Sequence, residues 1–139
     1  MRISLTEDAT LPSYKTDGSA GLDLSCSETF ELEPLQRKLI GTGIRIEVPQ
    51  GFEAQVRPRS GLAINHGVTM VNSPGTIDSD YRGEVKLIMI NLSQQVVSFK
   101  KGDRVAQLVI CPVARVELQV VDSLDETGRG EGGFGSTGV

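Results

Sequence analysis

Apolar residues recur at every second position through most of the chain. In "GIRIEVP", Ile44, Ile46 and Val48 face one way while Arg45 and Glu47 face the other, which predicts a half-buried strand. Similar short runs follow as "GLDLSCS", "FEAQVRP", "GVTMVN", "QQVVSFK", "RVAQLVICPV" and "VELQVV", separated by Gly, Pro, Asn and Asp. A helical turn is expected only at "SGLAIN", residues 60 to 65. Many short strands with almost no helical period predict an all-β domain, a jelly-roll-like β-sandwich.

One run departs from alternation. "EVKLIMINL", residues 84 to 92, is apolar at Leu87, Ile88, Met89 and Ile90, hence on both faces. Such a strand needs a second cover, supplied either by the other sheet or a loop, or by another subunit. There is no internal repeat, and the one low-complexity segment is the end of the chain, "GRGEGGFGSTGV". The organisation expected is a β domain over residues 1–127 and a glycine-rich tail over 128–139. Glycine-rich termini are ordinarily linkers. This one also carries a cation, a flat apolar ring and two hydroxyls, Arg129, Phe134, Ser136 and Thr137, on a backbone able to approach a ligand closely.

Composition narrows the chemistry. A chain of 139 residues with no tryptophan, 4% aromatic residues and 16 glycines must build an aliphatic core with many turns. Its net charge of -4 argues against binding a nucleic-acid backbone, which needs a basic stripe. A small anionic ligand needs only a few local arginines. Cys26 and Cys111 lie far apart without partners at metal-ligand spacing, so neither a disulfide framework nor a zinc site is expected, and a reducing compartment is the default. With no apolar signal segment and no run approaching the ~20 apolar residues of a membrane span, the chain reads as soluble and cytoplasmic.

Polar residues concentrate at five places. The tail contains GxGxxG twice, but a dinucleotide fingerprint needs a following helix to bring its N-terminus to the pyrophosphate, and none follows. In "GTIDSDYRGE", residues 75 to 84, the spacing of Asp78 and Asp80 fails the calcium-loop pattern at Arg82 and Met89. Two readings remain for it: a turn whose aspartates cap local N–H groups, or a general base beside Ile77 and Tyr81. "RPRSGLA", residues 57 to 63, brings Arg59 and Ser60 to the start of the helical turn, as an N-cap or as a phosphate contact. "AGLDLS" sets Asp23 between leucines, and "GDRVAQLVI" sets Gln107 in an apolar strand, where a satisfied core amide is the commoner outcome.

Taken together, "AGLDLS", "PRSGLA", "GTIDSDYRGE", "GDRVAQLVI" and "RGEGGFGSTG" resemble the five ordered motifs of the trimeric dUTP diphosphatases (dUTPases), in the family's order across residues 20 to 137. Each motif alone is of modest specificity, whereas five in order, the last containing a phenylalanine, are highly specific. The resemblance implies a homotrimer with active sites at subunit interfaces and a flexible C-terminal arm. Its reaction would be Mg²⁺-assisted hydrolysis of dUTP to dUMP and pyrophosphate, limiting uracil incorporation into DNA and supplying dUMP for dTMP synthesis.

By the same resemblance, Asp78 would activate the water that attacks the α-phosphorus, with Gln107 positioning it. Asp23 would help hold a hydrated Mg²⁺ that the triphosphate mainly binds. Arg59, Ser60 and Gly61 would contact phosphates from a different subunit than Asp78. A hairpin from Asn72 to Tyr81, including Thr76 and Ile77, would read uracil, and Tyr81 under the deoxyribose would exclude a 2′-hydroxyl. Lys86 joins the substrate-binding set. Phe134 would close over uracil while Arg129, Gly135, Ser136 and Thr137 meet the β- and γ-phosphates, making the tail a lid. No motif residue is missing, and His66 receives no role. The competing readings are a dCTP deaminase of the same fold, which lacks the phenylalanine-bearing lid, and a non-enzymatic nucleotide sensor or protein-binding trimer.

Overall fold

The alternation in residues 44 to 48 produces the strand it predicts. β5 (Ile44–Glu47) buries Ile44 and Ile46 and exposes Arg45, with Val48 buried just past its end. It pairs antiparallel with β1 (Arg2–Leu5), Ile3 opposite Ile46. The structure, a computed structural model, describes residues 1–133, so Phe134, Gly135, Ser136 and Thr137 lie outside the described residues.

The remaining strands form three further antiparallel sheets. The largest has the order β2 (Leu22–Ser25), β11 (Arg104–Pro112), β6 (Phe52–Pro58), β8 (Gly75–Ile77). A second runs β4 (Arg37–Gly41), β9 (Lys86–Asn91), β7 (Val68–Met70), and β10 (Val97–Phe99) pairs with β3 (Phe30–Leu32). This is the all-β, jelly-roll-like sandwich that the period-two pattern predicts. Between the sheets lies the expected aliphatic core: Leu24, Leu32, Ile40, Leu87, Met89 and Leu108 are buried. Its aromatic element is the stacked pair Phe30 and Phe99, with ring centroids 4.8 Å apart. The buried Asn91 amide is satisfied, donating to the Leu32 and Gln95 carbonyls and accepting from the Ser93 N–H.

The one helix among the described residues, α1 (Ser60–His66), stands where a helical turn is expected. Its N-cap is Arg59 in an extended conformation, with no side-chain cap, so Ser60 is the first helical residue and not the cap. Gly67 ends it in the left-handed region (φ 63°), which a residue without Cβ adopts at little cost, and its N–H closes onto the Ala63 and Leu62 carbonyls.

Two expectations change, and one choice left open by the sequence narrows. The doubly apolar run becomes β9, with Leu87, Met89 and Asn91 facing the core while Ile88 faces outward. Ile88 stands opposite Leu39 of β4, which is also exposed, so among the described residues nothing covers the second apolar face. "VELQVV" forms no strand: the last backbone tie of this region is Val113 N–H to the Gly51 carbonyl, and beyond it Val116, Leu118 and Val120 are exposed. Its alternation marks a real apolar face, but a strand needs a paired edge, and none of the described strands pairs with it. Residues 72 to 81 are not a two-stranded hairpin either. β7 pairs with β9 and β8 with β6, so the segment between them crosses from one sheet to the other.

Candidate active site

The first polar cluster is built by a bulge. Along β11, Arg104 is opposite Ser25 and Ala106 opposite Leu24, so Val105 is an extra residue in the ladder. Val105 and Ala106 are consequently both buried, and Arg104 comes round to the face that carries Gln107 and Asp23, which are themselves cross-strand partners. Arg104 Nη1 lies 2.8 Å from Asp23 Oδ2. Arg59 Nε lies 3.6 Å from Asp23 Oδ1, and its Nη1 donates to the Arg104 carbonyl at 2.8 Å. The Asp23 side chain is only 16% exposed, so the acid between the two leucines does not simply face water. Gln107 Nε2 donates to the Pro58 carbonyl at 3.1 Å, immediately before Arg59, and its Oε1 packs so close to Gly21 that a Cβ there would stand 2.8 Å away. Gln107 is thus a satisfied amide that also borders a guanidinium–carboxylate cluster. Sequence reasoning did not single out Arg104. The signal it left was the apolar pair Val105–Ala106 breaking the alternation of "GDRVAQLVI".

The second cluster is a groove of about 310 Å³ on the other edge of this sheet, where β8 ends; its walls include Leu39, Ile77, Asp78, Tyr81, Lys86 and Ile88. Ile77 is buried beneath, and Thr76 and Asn72 are exposed. Asp78 caps no N–H with its side chain; its carbonyl accepts the Tyr81 N–H at 3.2 Å, and its carboxylate is exposed and without a hydrogen-bond partner among the described residues. One chain therefore does not supply the desolvation expected around a general base. Tyr81 donates its hydroxyl to the Glu84 carbonyl at 3.0 Å, and Lys86 Nζ lies 3.6 Å from Glu84 Oε2.

The two clusters stay apart. None of Asp23, Arg59, Ser60, Gly61 and Gln107 lines the groove that Asp78 and Tyr81 line. Arg129 is exposed and folded into a local turn, donating Nε–H to the Gly132 carbonyl at 2.7 Å. Both cysteines are free. Cys26 is fully buried, its thiol donates to the Lys100 carbonyl, and burial pushes its pKa up, which disfavours a nucleophilic thiolate. Among the described residues no three His, Cys, Asp or Glu side chains converge as a metal cage, and no helix is long and apolar enough to cross a membrane. Asp23, with each oxygen facing a guanidinium, is suited to an outer contact with a hydrated cation and not to a protein-held one. Mg²⁺ fits such a donor set, because it retains waters and takes few carboxylates when phosphates are present.

These features can be set beside known proteins. The sequence model of the dUTPase family matches residues 7–138. A deoxyuridine 5'-triphosphate nucleotidohydrolase of Anaeromyxobacter sp. (strain Fw109-5) is 61% identical over 128 residues, covering 92% of this chain and 87% of its own. The protein of that name from Hydrogenobaculum sp. (strain Y04AAS1) is 57% identical, covering 97% and 94%. Among solved structures, Staphylococcus bacteriophage 80alpha dUTPase with dUPNHPP superposes with a TM-score of 0.93 at 27% identity, over 99% of this chain and 98% of that one. A mutant dUTPase from phage phi11 of S. aureus, for which the coordination of a structural Mg(II) ion is described, shares the fold with a TM-score of 0.83 at 24% identity, over 90% and 98%. Matched from residue 7 to residue 138 by the family's sequence model and over nearly its whole length by these relatives, the chain belongs to the dUTPase family.

Proposed function

We propose that this protein hydrolyses dUTP to dUMP and pyrophosphate, and that it does so as a homotrimer whose sites are shared between subunits. The observation that carries the reading is the division of the polar residues into two half-sites. One has the chemistry for phosphates, with Arg59, Ser60, Gly61, Arg104, Asp23 and Gln107; the other, with Asp78, Tyr81 and an apolar floor, has the chemistry for a nucleoside and an attacking water. Neither is complete alone. The uncovered apolar face of Leu39 and Ile88, beside the second half-site, gives a second subunit a place to dock and bring the first half-site across.

In the assembled site Arg59, Ser60 and Gly61 bind phosphate oxygens, a task that uses charge and positioning more than covalent chemistry. Asp23 would be the outer contact of a Mg²⁺ ion held mainly by the triphosphate, which when bound would supply charge neutralisation there. Asp78 accepts the proton of the water that attacks the α-phosphorus, and Gln107 orients that water. Asn72, Thr76 and Ile77 bound the uracil site, which has no room for a thymine methyl. Tyr81 occupies the space of a ribose 2′-hydroxyl, and Lys86 flanks the nucleotide. Arg129, Phe134, Gly135, Ser136 and Thr137, on the 128–139 tail, close over the base and the outer phosphates as a lid. A cytoplasmic setting suits two free cysteines and a nucleotide substrate.

Pyrophosphate release from dUTP with and without Mg²⁺ tests this, with dCTP as control. Mg²⁺-dependent release from dUTP alone is expected. Ammonia release from dCTP would favour the deaminase, and no turnover of either nucleotide would favour a sensor.

A further inference from the structure

Tyr81 is the one aromatic ring of the 78–84 turn, and its position depends on a residue two places on. The ring lies across Gly83: a Cβ built on Gly83 would stand 2.9 Å from Tyr81 Cε2, and nearer still to Cζ and the hydroxyl. The Gly83 backbone is outside the left-handed region, so nothing in its conformation calls for glycine. What glycine supplies here is empty space. The ring is also hooked at its far end, where the hydroxyl donates to the Glu84 carbonyl at 3.0 Å. That carbonyl is part of a fixed frame: Glu84 Oε1 accepts the Gly43 N–H at 2.9 Å, Val85 N–H donates to the Ile44 carbonyl at 2.9 Å, and Thr42 Oγ1 donates to the Val85 carbonyl at 2.5 Å. Without the floor and the hook the ring has little to hold it, since Tyr81 is 45% exposed.

We infer that Gly83 is a positioning residue for sugar discrimination, because its bare backbone sets the height at which the Tyr81 ring meets the 2′ position of the nucleotide. The inference rests on the reading of Tyr81 as the filter against a 2′-hydroxyl. A filter that acts by clash is steep in distance, so it works only if the ring cannot yield. The three atoms that a methyl at Gly83 would meet first all belong to the tyrosine side chain and none to backbone. The ring is therefore displaced, its hydroxyl leaves Glu84, and the 2′ space opens while the turn and the core remain.

The test is kcat/KM for dUTP and for UTP in the full-length wild type, Gly83→Ala, Tyr81→Ala and the double variant, each checked for native assembly. Gly83→Ala is expected to raise the UTP/dUTP ratio by about tenfold or more, the scale at which loss of one steric exclusion is felt, with kcat for dUTP within a few-fold of wild type. Because both substitutions remove the same ring from the same place, the double variant should match Tyr81→Ala alone. If Tyr81→Ala shifts the ratio and Gly83→Ala does not, the inference about Gly83 falls and the tyrosine filter stands. If Tyr81→Ala leaves the ratio unchanged, the filter reading falls and the inference with it. A further shift by Gly83→Ala in the Tyr81→Ala background, or loss of folding in Gly83→Ala, would also overturn it, since glycine would then act by a route other than the ring.

Discussion

Asp78 follows directly on buried Ile77 at the end of β8, yet its own carboxylate is open to solvent in one chain. A base in that position needs the protein only to hold it near the attacking water, and an amide of the same shape would hold the same place without accepting a proton. Asp78→Asn is therefore expected to retain nucleotide binding and assembly while turnover falls by roughly two to four orders of magnitude, the usual cost of losing a general base. Titrating the variant with a non-hydrolysable dUTP analogue and measuring single-turnover rates separates the two effects. A near-normal kcat would make Asp78 a turn residue and place the base elsewhere. Asp23 presents the opposite case. Its identity and strand context were legible, but the two guanidiniums that hold it were not, because Arg104 reaches it only through the bulge at Val105.

Among the elements, β9 carries the most information beyond its own sheet. Its inward residues, Leu87, Met89 and Asn91, complete the core, and Ile88 extends the outward apolar surface with Leu39 across the ladder. A one-residue change of register would exchange these faces, so the pairing with β4 and β7 decides which set is free to meet another subunit. Ile88→Glu places a carboxylate where only the outward face is affected. Buried at an interface without a partner, that charge costs several kcal/mol, whereas in an isolated chain it faces water. The variant should keep its far-UV circular dichroism, run as a smaller species in native mass spectrometry and lose activity in proportion. A trimer of full activity would show that this face is not the one that assembly covers.

On the scale of the whole molecule, the separation of the phosphate cluster from the Asp78 groove predicts that two inactive proteins can make an active one. In the proposed homotrimer, Asp78→Asn and a truncation ending at Thr127 would each remove a part needed at every site. Refolded together, they form mixed trimers in which some sites combine an intact Asp78 from the truncated chain with an intact lid from the other. Activity should return at a fraction set by mixing statistics, and only after co-assembly. If heterotrimers are seen by native mass spectrometry and the mixture stays inactive, the lid serves its own subunit.

Alternation by itself determined the class of the fold, because side chains of a strand point to opposite faces whatever its neighbours are, and β5, β6 and β11 stand where their patterns predict. The kinds of residue the chemistry needs were equally legible, since arginine, aspartate and tyrosine carry their properties with them. Partners were not. Pairing β7 with β9 and β8 with β6 turned an expected hairpin into a crossing between sheets, and the apolar alternation of "VELQVV" found no edge to pair with. The same holds for the Arg104 contact with Asp23 and for the Tyr81 ring across Gly83. Period is a local property of a chain, whereas register, bulges and the packing of one side chain on another depend on residues distant in sequence, and only the tertiary structure brings those together.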